Sequence, residues 1–79
     1  MSFEQFEGHP GLLLYKGKKV RIEYVLDDSN VVQKLNVYAV LDESAGEQRV
    51  EQLKGPFESR EKAEEAGKES AAFFVDRSL

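Results

Sequence analysis

Gly55-Pro56-Phe57-Glu58-Ser59-Arg60-Glu61-Lys62-Ala63 is the segment on which the reading of the chain turns. Pro56 has a fixed φ and no N–H, so it cannot continue a central strand. Gly55 before it admits a backbone angle that other residues resist. Ser59 carries an oxygen that can accept from the free N–H groups of a following turn, and Glu61, Glu64 and Glu65 suit the positive end of a helix dipole. The segment therefore reads as strand end, rigid turn, N-cap and first helical turn, with strands before it and a helix after it.

The helix is predicted from Ser59 to about Asp76. Ala63, Ala66, Gly67, Ser70, Ala71 and Phe74 recur at three- and four-residue spacing and form a stripe of mostly small side chains. Such a stripe lets a helix lie close to a sheet, which offsets the cost of about 1 kcal/mol that Gly67 carries relative to alanine. Phe73, Phe74 and Val75 supply bulk at the C-terminal end. The two phenylalanines point about 100° apart, so one faces the core and the other its margin. Arg60, Glu61, Lys62, Glu64, Glu65, Lys68 and Glu69 form a solvated face.

Working back from Gly55, Glu47 to Lys54 is a mostly polar strand with Val50 and Leu53 as its apolar positions, the pattern of an edge. Asp42 to Gly46 is a loop. Val31 to Leu41 is a strong strand with Leu35, Val37, Ala39 and Leu41 on one face and Asn36, Tyr38 and Val40 on the other. Asp27-Asp28-Ser29-Asn30 is a polar turn. In Lys19 to Leu26, Val20, Ile22, Tyr24 and Leu26 share one face, while Lys19, Arg21, Glu23 and Val25 share the other. Leu12 to Tyr15 is either a short strand closed by a tight turn at Gly17 or the start of one long bulged strand, and the turn is the favoured reading. Residues 1–11 read as a lead-in, with Phe3 and Phe6 folding back onto an exposed edge of the core or docking on a partner.

Seventy-nine residues allow one domain, residues 1–79. Hydrophobic content of 41% and charged content of 33% suit a compact fold and not a disordered one. There is no cysteine, so disulfides and thiolate chemistry are excluded, and the composition is compatible with a reducing cytoplasm. No signal peptide and no membrane span is expected; the apolar run Leu12–Tyr15 is far short of the roughly 20 residues a span needs. The net charge is −4: residues 1–40 balance five acids with five bases, whereas residues 41–79 hold ten acids against six. That excess argues against general affinity for nucleic acid.

No catalytic set, metal site or cofactor site is expected. His9 is the only histidine and lies in a Gly-Pro loop without a second ligand. Asp27 and Asp28 lack the glycine-centred loop of a calcium site and read as turn formers. The helix acids lack the histidines of a di-metal carboxylate set, and Gly46, Gly55 and Gly67 are too scattered to cradle a phosphate. The basic run Lys16, Lys18, Lys19 and Arg21 is the only hint of a polyanion contact; its plainer role is to offset neighbouring acids and blunt an edge.

The element order, with Gly55-Pro56-Phe57-Glu58-Ser59 at the sheet-to-helix junction, resembles small bacterial β-β-β-α proteins of unknown function. The resemblance covers roughly residues 16–76 and implies a fold without implying an activity. The chain also looks similar, more loosely, to the HicB-type antitoxin half-domain, in which a three-stranded sheet carries a helix opened by a comparable segment. That family adds a DNA-binding element after the helix, and the sequence here ends at Leu79.

The expected fold is α+β: an antiparallel sheet of three strands, or four, with one C-terminal helix on a single face. The uncovered face, with Val25, Tyr38 and Val40, is the expected interface for a homodimer or another protein partner. The alternative is a nucleic-acid-associated regulator using Lys16, Lys18, Lys19 and Arg21.

Overall fold

The hairpins dictate the topology. The computed structural model describes residues 3–5 and 12–78. Its strands are β1 (Glu4–Gln5), β2 (Leu12–Tyr15), β3 (Lys18–Leu26), β4 (Val32–Ala39) and β5 (Gln48–Lys54), followed by α1 (Arg60–Ser78). They form one antiparallel sheet in chain order, β1-β2-β3-β4-β5. The four longer strands are a meander, and β1 adds two residues at the edge. The fold is α+β with the helix on one face of the sheet.

Each connection has a local cause. Lys16 and Gly17 both adopt positive φ, 51° and 79°, as a two-residue turn of the I′ kind requires, so Leu12–Tyr15 is a strand of its own. In the next turn the Asp27 carboxylate accepts from the backbone N–H of Ser29 (2.8 Å) and Val31 (2.9 Å) and from Gln33 Nε2 (2.8 Å). Asp42 repeats the device, accepting from the Ser44 N–H and hydroxyl. Both aspartates mimic backbone turns with a side chain.

At the sheet-to-helix junction the Phe57 N–H donates to the Val32 carbonyl (3.0 Å) and the Gly55 N–H to the Gln33 carbonyl (2.7 Å). Gly55 is required for closeness rather than for an unusual φ. A Cβ on it would lie 2.7 Å from the Val32 carbonyl oxygen and 2.8 Å from the Phe57 nitrogen. Ser59 Oγ then accepts from the Lys62 N–H at 3.1 Å, the expected N-cap.

The core lies between α1 and the sheet. Leu13, Tyr15, Val20, Ile22, Leu35, Val37 and Ala39 face Ala63, Gly67, Ala71 and Val75, and Val20, Leu35, Val37 and Val75 are the largest fully buried side chains. Burial of each such side chain contributes about 1.5–3 kcal/mol. A Cβ on Gly67 would meet Ile22 Cδ1 at 3.0 Å, so the small-residue stripe does let the helix approach the sheet.

Two details differ from the sequence reading. Leu26 is 43% exposed instead of continuing the core face, because a bulge between Val25 and Leu26 shifts the register with β4. At the helix end Val75 fills the core, while Phe73 is 54% exposed and Phe74 only half-buried, the two rings meeting edge to face at 5.4 Å. Phe3 stacks on Tyr15 with ring centroids 4.7 Å apart and packs against the core, whereas residue 6 lies outside the described residues.

The first hairpin is tied to the helix end. Lys16 Nζ donates to Asp76 Oδ1 at 2.7 Å and the Tyr15 hydroxyl to Oδ2 at 3.2 Å. A carboxylate in the last turn opposes the helix dipole, and these two donors offset that. The Lys16 ammonium holds the Asp76 carboxyl below the usual carboxylate range.

Candidate interaction surface

The helix covers one side of the sheet, and alternation along the strands decides what the other side carries. Every second residue of β3 and β4 that is not in the core points to this open face. The register then sorts them into rows that cross the strands. Leu14, Lys19 and Val40 lie at one end, next to Arg21, Tyr38 and Arg49. Glu23, Asn36 and Gln52 follow, and Val25, Lys34 and Lys54 make the last row.

The middle row is a hydrogen-bonded ladder. Asn36 Nδ2 donates to Glu23 Oε1 at 2.8 Å, and Gln52 Nε2 donates to Asn36 Oδ1 at 2.9 Å. Asn36 is 7% exposed, the one buried polar residue of the described chain, and the ladder satisfies it. One row away the Arg21 guanidinium lies 4.1 Å from the Tyr38 ring centroid and grips Glu47 with two bonds, Nε–Oε2 3.0 Å and Nη2–Oε1 2.9 Å. The shared hydrogen bonds hold Glu47 below and Arg21 above their ordinary pKa ranges.

The expected interface residues Val25, Tyr38 and Val40 are all half-buried and all on this face. They do not form one patch. Val25 stands apart from Tyr38 by the polar row, and the Tyr38 ring is covered by Arg21. Val40 lines a groove of about 400 Å³ with Leu14, Gly17, Lys18, Lys19 and Glu43.

The basic run is dispersed. Lys16 sits in the turn and pairs with Asp76. Lys18 donates to the Leu41 carbonyl at 3.4 Å and is out of phase with its neighbour Lys19. Lys19 and Arg21 reach the open face, where Lys34, Arg49 and Lys54 join them from β4 and β5. These last three were missed by reading the basic run alone. Parity against Leu35 and Leu53 could have placed Lys34 and Lys54, but Arg49 depends on a bulge between Val37 and Tyr38 that shifts β5 by one residue.

Among the described residues no group of three or more His, Cys, Asp or Glu side chains is placed to hold a metal, and no helix is long and apolar enough to cross a membrane. Comparison of the chain with protein-family models, with curated proteins and with solved structures gave no match. The likeness to small β-β-β-α proteins and to the HicB-type half-domain therefore rests on the Gly55–Ala63 segment and the element order alone.

Proposed function

We propose that the protein is a non-enzymatic interaction module of the cytoplasm that binds another protein chain, a second copy included, through the open face of its sheet. The observation that carries this reading is the one-sided cover of the sheet. Leu14, Val25, Tyr38 and Val40 remain half-buried on a face that has no second layer among the described residues. These apolar residues lie among charged ones on the open face, and a chain this short gains stability by association. Sedimentation equilibrium of the wild type and of Tyr38→Glu tests it. The variant is expected to stay folded with a lower apparent mass, and an unchanged mass would remove Tyr38 from the interface.

A second reading is a nucleic-acid-associated regulator, favoured by the five cations that three strands bring to the same face. In this reading Lys19 retains the role expected of the basic run, whereas Lys16 is engaged with Asp76 and Arg21 with Glu47. Binding to a short single strand that weakens steeply with salt and falls in Lys19→Glu is its expected signature. No shift with DNA or RNA at low salt removes it.

A further inference from the structure

The open face of the sheet is rich in cations, and one stripe of the helix on the other side is acidic. On the open sheet face Lys34 and Lys54 are direct cross-strand partners, and Lys19 and Arg49 lie on the same face toward its other end. None of the four makes an ion pair among the described residues. Like charges placed directly opposite on one face of a sheet are destabilising. On the far side of the molecule, the solvent face of α1 carries Glu61, Glu65, Glu69 and Phe73 at successive four-residue steps, all exposed. None of these glutamates is ion-paired among the described residues, and each repels the next along the stripe. The stripe is acidic, although Lys62 and Lys68 flank it, and the open face is cationic, although Glu23 lies within it, so two surfaces of opposite local sign lie back to back.

We infer that the open sheet face of one copy takes the Glu61–Glu65–Glu69–Phe73 stripe of a second copy, so that copies associate head to tail. This rests on the proposed role of the open face in binding protein and names the occupant.

The spacings agree. From Lys34 to Tyr38, the row that holds Arg49, is four strand residues, about 13 Å. From Glu61 to Glu69 is eight helical residues, about 12 Å. With Glu61 over Lys34 and Lys54, Glu69 falls over the Arg49 row. Glu65, midway, meets the Gln52 amide, which has one of its two N–H groups engaged with Asn36. Glu23 closes the β3 end of that row, which places the stripe over β4 and β5. Phe73 lies twelve helical residues from Glu61, about 18 Å, and Val40 six strand residues from Lys34, about 20 Å. The exposed phenyl ring, with the Arg77 guanidinium 5.3 Å from its centroid, therefore falls beside Val40 at the β4 margin of the groove. The sheet gains a helix on its second face, and two like-charge clusters are neutralised together.

Opposite faces of one molecule cannot close a two-fold dimer on each other, so this contact is heterologous and propagates. Sedimentation equilibrium at low and high salt, with absorbance at 260 and 280 nm, is the test, using the wild type, Lys34→Glu/Lys54→Glu and Glu65→Lys/Glu69→Lys. Circular dichroism verifies that both variants are folded. The wild type is expected to grow in mean mass with concentration beyond a dimer and to shrink toward monomer at high salt. Each variant alone is expected to be monomeric. Mixed, they should associate again in alternating order, because the intact helix stripe of one meets the intact sheet face of the other and the reversed stripe meets the reversed face. A closed wild-type dimer insensitive to the helix substitutions would overturn the head-to-tail contact and leave the broader role in self-association standing. A wild-type monomer at every concentration would overturn the contact, as would a mixture that stays monomeric. Mass that travels with 260 nm absorbance and is lost with salt would overturn it in favour of nucleic acid.

Discussion

Gly67 of the helix lies directly over Ile22 of β3, so close that a Cβ on the glycine would stand 3.0 Å from Ile22 Cδ1 and 3.3 Å from Cγ2. Alanine at this position gains about 1 kcal/mol of helix propensity but overpacks a buried contact, which costs about 1–3 kcal/mol. Ile22 is 4% exposed and held between two strands, so crowding wins. Gly67→Ala is expected to lose about 1 kcal/mol by urea denaturation. A raised midpoint would show that Ile22 yields and that the close approach is not needed.

Gly55→Ala should cost more, about 2–3 kcal/mol. Its Cβ would strike a backbone oxygen, that of Val32, at 2.7 Å, and no side-chain rotation relieves that. The hydrogen bonds of Gly55 and Phe57 to β4 would be disturbed with it. Urea midpoints of the two glycine variants, measured side by side, check the order. A milder effect at Gly55 than at Gly67 would contradict this account of the junction.

Acid should weaken the fold through four named carboxylates. Asp27, Asp42, Glu47 and Asp76 all have pKa values lowered in the folded chain, from 3.8 for the aspartates and 4.5 for the glutamate. The main causes are hydrogen bonds from the Val31 N–H to Asp27, from the Ser44 side chain to Asp42, from Arg21 to Glu47 and from Lys16 to Asp76. A lowered folded pKa means stability that is complete above the unfolded value and lost as pH falls through the folded one. The urea midpoint is therefore expected to hold above about pH 5 and fall steadily toward pH 2. Asp27→Asn should flatten part of that slope, and an unchanged slope would discount the turn.

Alkali acts through the opposite sign. Lys16 has its pKa raised above 10.5 by Asp76, and Tyr24 has its pKa raised above 10.0, chiefly by burial and further by Glu64. Both contribute stability that is present below the unfolded values and lost as pH rises through the folded ones. Tyr24→Phe is expected to reduce the alkaline loss, read as the thermal midpoint between about pH 9 and 11.

Asn36→Ala should cost about 1 kcal/mol, because it deprives Glu23 and Gln52 of the residue that links them while both remain open to water. The amide ladder also separates the apolar residues of the open face into two groups. Asn36→Val is therefore expected to raise self-association relative to Asn36→Ala at equal stability, measured by light scattering. Equal scattering would show that the ladder does not shape the surface.

The order of the four longer strands, the tight turn at Gly17 favoured over a bulge, the Ser59 N-cap and the small-residue stripe of the helix were legible in the chain, because each arises from interactions between residues close in sequence, whereas β1 at Glu4–Gln5 was not. Alternation in Lys19–Leu26 and Val31–Leu41 likewise placed Val20, Ile22, Leu35 and Val37 in the core. What could not be read locally were register and distance. Bulges at Val25/Leu26 and Val37/Tyr38 expose Leu26 and bring Arg49 beside Tyr38. Gly55 is glycine because of a carbonyl twenty-three positions earlier, at Val32. The Lys16–Lys19 run, contiguous in the chain, is broken up by the turn, while Lys34 and Lys54, far apart in the chain, become neighbours. A strand's own pattern states which face a side chain takes. Only pairing between strands decides which side chains share that face, because hydrogen-bond register is a long-range property that no single strand encodes.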